Sequence, residues 1–458
     1  MHNDPAPYAV LEDAAVRARR YLEVLDDRSV APEPDAIAAL QRLDEPLPAG
    51  GTPAREVLAL LDEIVSPATM AMAGGRFFGF VIGGALPVTV ASNWLATAWD
   101  QNAALQGPTP GVSAVEHVAL RWLLGLLGLP PESAGAFVTG GTMANFTALA
   151  AARHRVLANA GWDVEEQGLC GAPPVTIIVG AEAHATLFKS LSMLGFGRGT
   201  VVRVPVDAQG RLREDLLPRI SGPTIVCTQA GNLNSGAFDP IEEICARVQG
   251  EGAWVHVDGA IGLWARASRR LSSQVEGLER ADSWATDAHK WLNVPYDSGL
   301  AFVRDAAALR AAMSVTAAYL PADSGKRSPS DYTPELSRRA RGVDVWAALR
   351  CLGRDGVEAM IDRDCRHARR FAAGLAAAGF SILNDVQLNQ VLVSFGEPEV
   401  TQQVIATVQR DGSCWCGITV WQGQTAMRIS VSSWATTDED VELSLIAILR
   451  AASEVGAR

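Results

Sequence analysis

Cysteine is scarce in this sequence, and its spacing is not that of a metal site or a disulfide framework. The chain has seven cysteines and no CxxC pair. The one close pair, Cys414 and Cys416, is spaced too tightly for half of an ordinary zinc site. We therefore predict no metal centre, and we expect reduced thiols in a cytoplasmic protein.

A net positive charge and long apolar runs are missing as well. The formal net charge of −12 argues against non-specific binding to nucleic acid or to an anionic membrane. No apolar run is long enough to cross a bilayer, and the first residues lack the basic and apolar regions of a signal peptide. We therefore expect neither a nucleic-acid partner nor a membrane partner.

The composition is otherwise that of an ordinary globular protein. Apolar residues make up 48% and charged residues 20% of the 458 positions, and a chain of this length usually divides into more than one core. We predict an N-terminal helical segment that packs on the main body or on a second subunit, a large α/β domain and a small C-terminal α+β domain. Their predicted bounds are 1–75, 76–345 and 346–458.

Six short apolar runs indicate the core of the large domain. They are continuous rather than alternating in polarity, which suits strands buried on both faces, and helical stretches separate them. This order predicts a largely parallel sheet flanked by helices, with ligands bound beyond the carboxyl ends of the strands. The predicted strands are Val175–Val179, Val201–Val204, Thr224–Thr228, Trp254–Val257, Ser283–Thr286 and Leu300–Val303.

Other elements are predicted with less bearing on function. Helical composition covers Ala114–Leu127 and Phe146–Leu157, and the best C-terminal strands are Val391–Phe395 and Met427–Val431. Thr437, followed by three acidic residues, has the features of a helix N-cap.

The stretch Ser283–Asn293 contains the first candidate for chemistry, Lys290. Trp291 and Leu292 follow this lysine directly, so we expect its amine to be poorly solvated. Desolvation disfavours the charged form of an amine and lowers its pKa, and a neutral amine can form a Schiff base with a carbonyl. A surface lysine at the start of a helix is the alternative interpretation.

Three further features occur in an order that gives this lysine a context. Small residues at Gly140–Asn145, between a strand and a helix, can admit an anion at a helix N-terminus, although many such turns are glycine-rich for packing alone. Asp258 ends an apolar strand 32 residues before Lys290, and a turn aspartate is its alternative interpretation. His184 follows another strand, where it could also be a solvated loop histidine.

Together these features fit one cofactor, pyridoxal 5'-phosphate. This cofactor needs a phosphate cradle, a group that stacks on its ring, a lysine and a carboxylate. The carboxylate raises the pKa of the ring nitrogen, which must carry a proton for the ring to act as an electron sink.

Five motifs make the sequence resemble the group II pyridoxal-phosphate-dependent amino-acid decarboxylases, the family of aromatic-amino-acid, histidine and glutamate decarboxylases. The resemblance runs from about Arg76 to the C-terminus, and the motifs follow the family's order and spacing. The motifs are Gly140–Asn145, Gly231–Pro240, His256–Ala260, Asp287–Trp291 and Pro334–Arg341.

The resemblance implies a fold-type-I architecture, a homodimer with the cofactor near the interface, and roles for individual residues. Lys290 is the implied Schiff-base lysine, and Asp258 is the implied partner of the ring nitrogen. His184 and Ala260 are expected on opposite faces of the ring. Gly141, Thr142 and His289 are expected near the phosphate. Asn232 is expected near the phenolic oxygen of the cofactor, at a position where relatives often have threonine.

Two residues match positions on the substrate side. Arg428 matches an arginine that contacts the substrate carboxylate in some relatives, and an ordinary salt-bridged strand arginine is the alternative. Phe80 matches an aromatic position. Together with Phe77 and Phe78 it favours an apolar or aromatic substrate, unless these side chains belong to the core.

The reaction implied is α-decarboxylation of an L-amino acid to the amine and CO₂. In the family a loop tyrosine from the other subunit protonates the product carbon, and Tyr332 is our candidate for this role, with Tyr319 as its rival. The tyrosine weighs against an aldehyde synthase, because those relatives carry phenylalanine. The sequence also leaves open an aminotransferase or a lyase, and the intact set of Lys290, Asp258 and His184 weighs against a non-catalytic paralogue.

Overall fold

The computed structural model describes residues 8–315 and 327–457. Its contacts divide the chain into two units. The large unit comprises Gly83–Arg369 and Asn384–Val391, and the small unit comprises Met1–Ile82, Arg370–Leu383 and Leu392–Arg458. The small unit therefore groups residues of the first and last predicted segments. The predicted three-domain division remains a prediction.

The strands and α-helices of the described residues follow one another along the chain in the following bounds. The strands are β1 Ala134–Val138, β2 Thr176–Gly180, β3 Val202–Val204, β4 Thr224–Gln229, β5 Trp254–Asp258, β6 Ser283–Asp287, β7 Gly299–Val303, β8 Ser381–Ile382, β9 Gln390–Ser394, β10 Gly417–Trp421 and β11 Gln424–Ser430. The helices are α1 Ala9–Glu23, α2 Pro34–Ala39, α3 Ala54–Leu60, α4 Pro87–Trp99, α5 Pro110–Leu127, α6 Gly141–Asn159, α7 Val164–Gln167, α8 Ala185–Met193, α9 Ile241–Val248, α10 Ala306–Met313, α11 Gly342–Ala377, α12 Pro398–Asp411 and α13 Asp438–Val455.

The large unit is built on a mixed sheet of strand order β1-β7-β6-β5-β4-β2-β3. The ladders from β6 through β5, β4 and β2 to β3 are parallel, as predicted. Strand β7 is antiparallel to both of its neighbours. Only residues 288–298 connect β6 to β7, and a parallel return needs a crossover of about a dozen residues or more. The fold class is therefore the predicted one, a mostly parallel α/β sheet.

Helix α6 lies on this sheet and begins earlier than the sequence predicted. Its alanines, among them Ala144, Ala148 and Ala151, are completely buried, and such small side chains let the helix approach β6 and β7 closely. The helix starts at Gly141 rather than at Phe146. The glycine-rich motif is therefore the first turn of the helix itself.

A second sheet, of order β10-β11-β9-β8, lies in the small unit except for the first two residues of β9. The helix predicted after Thr437 is present, and the Thr437 hydroxyl and the Asp440 carboxylate form a capping box. Strand β10 was not predicted, because it is an edge strand with a half-exposed face. No helix in the described ranges is long and apolar enough to cross a membrane.

The last family motif, Pro334–Arg341, secures its segment of the large unit through a buried ion pair. The Arg338 guanidinium donates to the Glu116 carboxylate at 2.9 Å, and the two side chains are 0% and 1% exposed. The same guanidinium donates to the carbonyls of Ala103 and Phe137 at 2.6 and 2.9 Å. Removing one member of a buried pair leaves an uncompensated charge.

We expect Arg338→Met to destabilise the protein by about 3 kcal/mol, at the lower end of the range for breaking a buried ion pair. The lower end applies because Arg327 also lies 3.4 Å from Glu116. The exposed neighbour Arg339 supplies the matched control, since Arg339→Met removes the same charge from solvent. Thermal unfolding of each variant measures the effect.

A second variant separates the buried charge from the lost volume. Adding Glu116→Gln to Arg338→Met should recover part of the loss, because no carboxylate then remains buried without Arg338. A double variant less stable than Arg338→Met alone would contradict this account.

Candidate active site

A cleft of about 360 Å³ opens at the carboxyl edge of the parallel strands of the large unit. The ends of β1, β2, β4, β5 and β6 and the first turn of α6 form its walls. Side chains or backbone from separate parts of the chain therefore meet here, as the parallel-sheet prediction required. The predicted site residues that line the cleft are Gly141, Thr142, His184, Asp258, Ala260, His289 and Lys290.

Lys290 follows β6, and its amine contacts an acid that the sequence did not single out. Its Nζ lies 3.0 Å from Oδ2 of Asp287, and its side chain is 24% exposed. The Trp291 side chain is fully buried, and its Nε1 donates to Oδ2 of Asp364 at 2.9 Å. The indole thus anchors the turn to α11. The amine therefore forms an ion pair with Asp287, which the sequence did not predict, and its predicted desolvation by Trp291 stays a prediction.

His289 is held as a neutral donor beside this pair. Its Nδ1 accepts the backbone N–H of Ser298 at 3.0 Å, and burial lowers the pKa of its imidazole. In a neutral ring whose Nδ1 accepts, Nε2 carries the proton. That nitrogen is 3.6 Å from Oδ1 of Asp287, and the ring stacks on Tyr296 with centroids 4.3 Å apart.

The first turn of α6 forms a cradle for an anion. A Cβ on Gly141 would lie 2.9 Å from Oδ2 of Asp287, and one on Gly140 would lie 3.2 Å from the His289 ring. Glycine therefore keeps this wall open. The first amide N–H groups of a helix lack intrahelical acceptors, and the helix dipole favours negative charge there. With the Thr142 hydroxyl, the turn offers the donors that a phosphate needs.

Asp258 ends β5 with its carboxylate fixed at both oxygens. Oδ1 accepts the Ala260 N–H at 3.2 Å, and Oδ2 accepts Nδ2 of Asn145 at 3.1 Å. Asn145 was not among the predicted site residues, although it closes the Gly140–Asn145 motif. Its place at the end of this motif is the one signal in the sequence, because its role comes from facing the sheet one turn into α6.

His184 and Ala260 both line the cleft, and their predicted places on the two faces of the cofactor ring stay predictions. His184 is the N-cap of α8, and its Nδ1 lies 2.6 Å from the Thr186 hydroxyl. Ala260 follows the end of β5. Other lining residues that the sequence did not single out include Gln229, Leu233 and Ile261.

Asn232 is not among the residues that line the cleft, although Gly231 and Leu233 are. Its Oδ1 accepts the N–H groups of Asn234 and Ser235 at 2.8 and 3.2 Å, which closes a local turn. Its Nδ2 donates to Glu182 at 3.2 Å. The predicted contact of Asn232 with the phenolic oxygen stays a prediction.

Tyr332 ends a short 3-10 turn, Pro329–Tyr332. The Arg327 guanidinium lies over its ring, 4.4 Å from the centroid, and the ring is partly buried against the core beside β1 and α10. It is not part of the cleft lining of its own chain. Its rival Tyr319 lies outside the described residues, and both roles stay predictions.

Phe80 and Arg428 belong to the small unit. Phe80 is 59% exposed, has a φ of 53° and stacks on Trp415 with centroids 6.0 Å apart. Arg428 lies on β11 and is 8% exposed, and burial lowers the pKa of its guanidinium. Its burial disfavours the interpretation as a surface salt-bridge residue. The substrate roles of both residues stay predictions.

The arrangement defines the class of the protein. A lysine after one parallel strand, a carboxylate at the end of the next strand and a helix N-terminus face one cleft. The helix N-terminus, where only glycine fits, and the neutral donors around it suit a phosphate. The amine of Lys290 and the carboxylate of Asp258 suit a pyridine ring that carries an aldehyde. The fold and site are those of a fold-type-I pyridoxal-phosphate enzyme.

Comparisons with known proteins agree with this class. A family model described as the pyridoxal-dependent decarboxylase conserved domain matches residues 38–396. The chain is 26% identical over 457 residues to an aromatic-L-amino-acid decarboxylase of Bacillus atrophaeus, covering 95% of this chain and 93% of that one. It is 30% identical over 386 residues to an L-2,4-diaminobutyrate decarboxylase of Rhizobium meliloti, covering 80% and 74%.

The fold agrees as well. A crystal structure of Oryza sativa TDC with PLP and tryptamine superimposes with a TM-score of 0.90 at 22% identity, over 99% of this chain and 98% of that one. The chain belongs to the pyridoxal-dependent decarboxylase family. It is a pyridoxal-phosphate-dependent carboxy-lyase that acts on an amino acid.

Lys290 is one of three lysines in the sequence, with Lys189 and Lys326, so its covalent role can be tested without ambiguity. Borohydride reduction of the cofactor-loaded protein should fix one cofactor on the peptide that contains Lys290, as read by mass spectrometry. The Lys290→Ala variant should carry no label, and Lys189→Ala should be labelled like the wild type. A labelled Lys290→Ala protein would overturn the assignment.

Asp364, the acceptor of the Trp291 indole, predicts a pH-dependent stability. Burial raises the pKa of its carboxyl from an ordinary 3.8 to about 7. Between these values the folded protein holds a proton that the unfolded chain releases, so stability falls as the pH rises from about 4 to about 7. The drop in melting temperature from pH 5 to pH 8 should therefore be smaller in Asp364→Asn than in the wild type. Asp362→Asn, on the same helix, is the control, and equal drops in all three proteins would contradict this account.

Proposed function

We propose that this enzyme removes the α-carboxylate of an L-amino acid with an apolar or aromatic side chain and releases the amine and CO₂. The convergence of Lys290, Asp258 and the first turn of α6 on one cleft supports the reaction, and the exposed Phe80 supports the choice of substrate. Decarboxylation itself follows from the family. The choice of substrate is the proposed part.

Exposure and backbone strain at Phe80 support an apolar substrate. A bulky residue with a positive φ is uncommon and needs support from its surroundings, and strained residues cluster at functional sites. Phe80 is nevertheless 59% exposed. The Trp415 ring on which it stacks also stacks on Phe77, with centroids 5.1 Å apart. The similarity to the Bacillus atrophaeus aromatic-L-amino-acid decarboxylase points the same way.

The residues of the cleft divide the work of holding the cofactor. Gly141, Thr142 and His289 would hold its phosphate, and Lys290 would hold its aldehyde carbon. Asp258 would keep the ring nitrogen protonated, between His184 and Ala260 on the two faces. The bound cofactor supplies an electron sink for the electrons left when CO₂ departs.

Tyr332 would then give its phenolic proton to the carbon that has lost CO₂, and this step decides the product. We propose that it acts from the second subunit of a homodimer, with Asn232 near the cofactor and Arg428 and Phe80 on the substrate side. An apolar patch on α4 supports an interface, since Trp94, Leu95 and Trp99 are 47%, 55% and 48% exposed. We expect the enzyme to be cytoplasmic.

A panel of substrates tests the proposal directly. The purified enzyme, loaded with pyridoxal phosphate, is incubated with each of the common L-amino acids and with L-2,4-diaminobutyrate, and CO₂ and amine are measured. We expect stoichiometric CO₂ and amine, with the highest kcat/KM for an aromatic or large aliphatic substrate. A preference for glutamate or diaminobutyrate would overturn the substrate class, and no CO₂ from any substrate would overturn the reaction.

Tyr332→Phe tests the proton donor. Loss of a positioned acid lowers a rate by about 100-fold to 10,000-fold, so amine formation should fall by that range. Cofactor binding, followed by absorbance, should not change. Tyr319→Phe is the matched variant. If Tyr319→Phe rather than Tyr332→Phe loses amine formation, the two roles are exchanged.

A further inference from the structure

A chain of buried hydrogen bonds runs from the Asp258 carboxylate into the core of the large unit. Asn145 donates to Asp258 at 3.1 Å, and its Oδ1 lies 2.8 Å from Nε2 of His256. Nδ1 of His256 lies 2.9 Å from the Ser283 hydroxyl, which accepts Nε1 of Trp254 at 2.8 Å. Asp258 lines the cleft, and the other members of the chain lie behind it.

The strand pattern explains why these groups meet. Trp254, His256 and Asp258 alternate along β5 and so project from one face of the sheet. His256 and Ser283 are register partners in the parallel ladder between β5 and β6. Helix α6 packs against both strands and brings Asn145 above them.

Both ends of the chain fix the direction of every hydrogen bond. An ionised carboxylate only accepts, so the Asn145 amide must turn its Nδ2 towards Asp258 and its Oδ1 towards His256. His256 must then carry its proton on Nε2 and accept at Nδ1 from the Ser283 hydroxyl. At the other end Trp254 can only donate, so the Ser283 oxygen accepts from it, which agrees with the same direction.

Burial keeps this chain neutral. Asn145, His256 and Ser283 are 0% exposed, and burial lowers the pKa of His256 to about 3. The imidazole therefore stays uncharged at neutral pH. Aligned hydrogen bonds polarise one another in a medium of low dielectric. The aligned hydrogen bonds therefore strengthen the donor at their end, the Asn145 amide that faces Asp258.

We propose that Asn145, His256 and Ser283 are positioning residues that hold the Asp258 carboxylate correctly turned for the ring nitrogen of the cofactor. This inference rests on the proposed role of Asp258 in the cleft. A structural role alone would need only shape and satisfied hydrogen bonds. A positioning role also requires that breaking this series of hydrogen bonds weaken the interaction with the ring nitrogen and leave the rest of the cofactor's contacts unchanged.

A pair of ligands separates the two roles. One is pyridoxal phosphate, and the other is its carbocyclic analogue in which CH replaces the ring nitrogen. The dissociation constant of each is measured by equilibrium dialysis on the wild type, Asn145→Leu, His256→Phe and Ser283→Ala. The conservative variant His256→Gln is included because its amide can still donate to Asn145 and accept from Ser283.

We expect Asn145→Leu and His256→Phe to weaken pyridoxal phosphate binding about tenfold to a hundredfold, the range for a hydrogen bond to a charged group. The analogue should bind to these variants within about twofold of the wild type, because it does not use Asp258. His256→Gln should recover most of the affinity. Thr147→Val, which removes another buried hydroxyl on α6, should change neither constant.

Several results would overturn the inference. Equal weakening for both ligands would mean a structural role, and unchanged binding of both would mean no role. If the wild type itself does not prefer pyridoxal phosphate to the analogue, Asp258 does not serve the ring nitrogen. Lys290 labelling and CO₂ release would still stand in that case, so failure here differs from failure of the proposed function.

A measurement on the cofactor-free wild type tests the direction of the hydrogen bonds without relying on cofactor binding. Nitrogen NMR of histidine-labelled protein reports the tautomer of each imidazole, and the signal missing from a folded His256→Gln or His256→Phe variant identifies His256. We expect the neutral form with its proton on Nε2 from pH 5 to pH 9. A proton on Nδ1 would reverse the chain and overturn the inference.

Discussion

The parallel ladder between β5 and β6 is the constraint on which the active site depends. It pairs His256 with Ser283 and Asp258 with Ala285, so β6 runs two residues past the end of β5 before the turn that carries Lys290. A shift of one residue would turn Asp258 to the other face of the sheet. The carboxylate would then lose Asn145 and the cleft together. The chemistry of the site is therefore set by strand register before any side chain acts.

The glycine-rich turn before α6 depends on the same sheet, through its close contact with β7. A Cβ on Gly299, the first residue of β7, would lie 2.5 Å from the Cα of Gly140. The antiparallel β7 thus fits between β1 and β6 only because the backbones touch here without side chains. This close approach sets where α6 begins, and it places the open helix N-terminus beside Asp287 and His289. One short connection, residues 288–298, therefore shapes both the lysine turn and the anion cradle.

Elements controlled by local pattern could be predicted from the sequence. The six predicted strands of the large sheet are present with small shifts at their ends, and the strand that ends in Asp258 and the strand before Lys290 meet at one cleft as expected. Contacts between partners distant in the chain could not be predicted. The Asp287 carboxylate at Lys290, the Trp291 contact with Asp364 and the local turn closed by Asn232 all require a known backbone path. Asn145 was visible only as the end of a motif, because its role comes from facing β5.

The charges of the cleft explain why its donors are mostly neutral. Among the described residues that line the cleft, Asp258 and Asp287 bring two carboxylates and Lys290 brings one amine, and the cofactor adds a phosphate. Charged donors at every position would bind the anion tightly, but they would also compensate Asp258, whose negative charge the ring nitrogen needs. The amide groups of α6 and the Nε2–H of His289 offer hydrogen bonds without a full charge. The neutral hydrogen-bonded groups behind Asp258 act in the same way, since they stabilise the carboxylate without neutralising its negative charge.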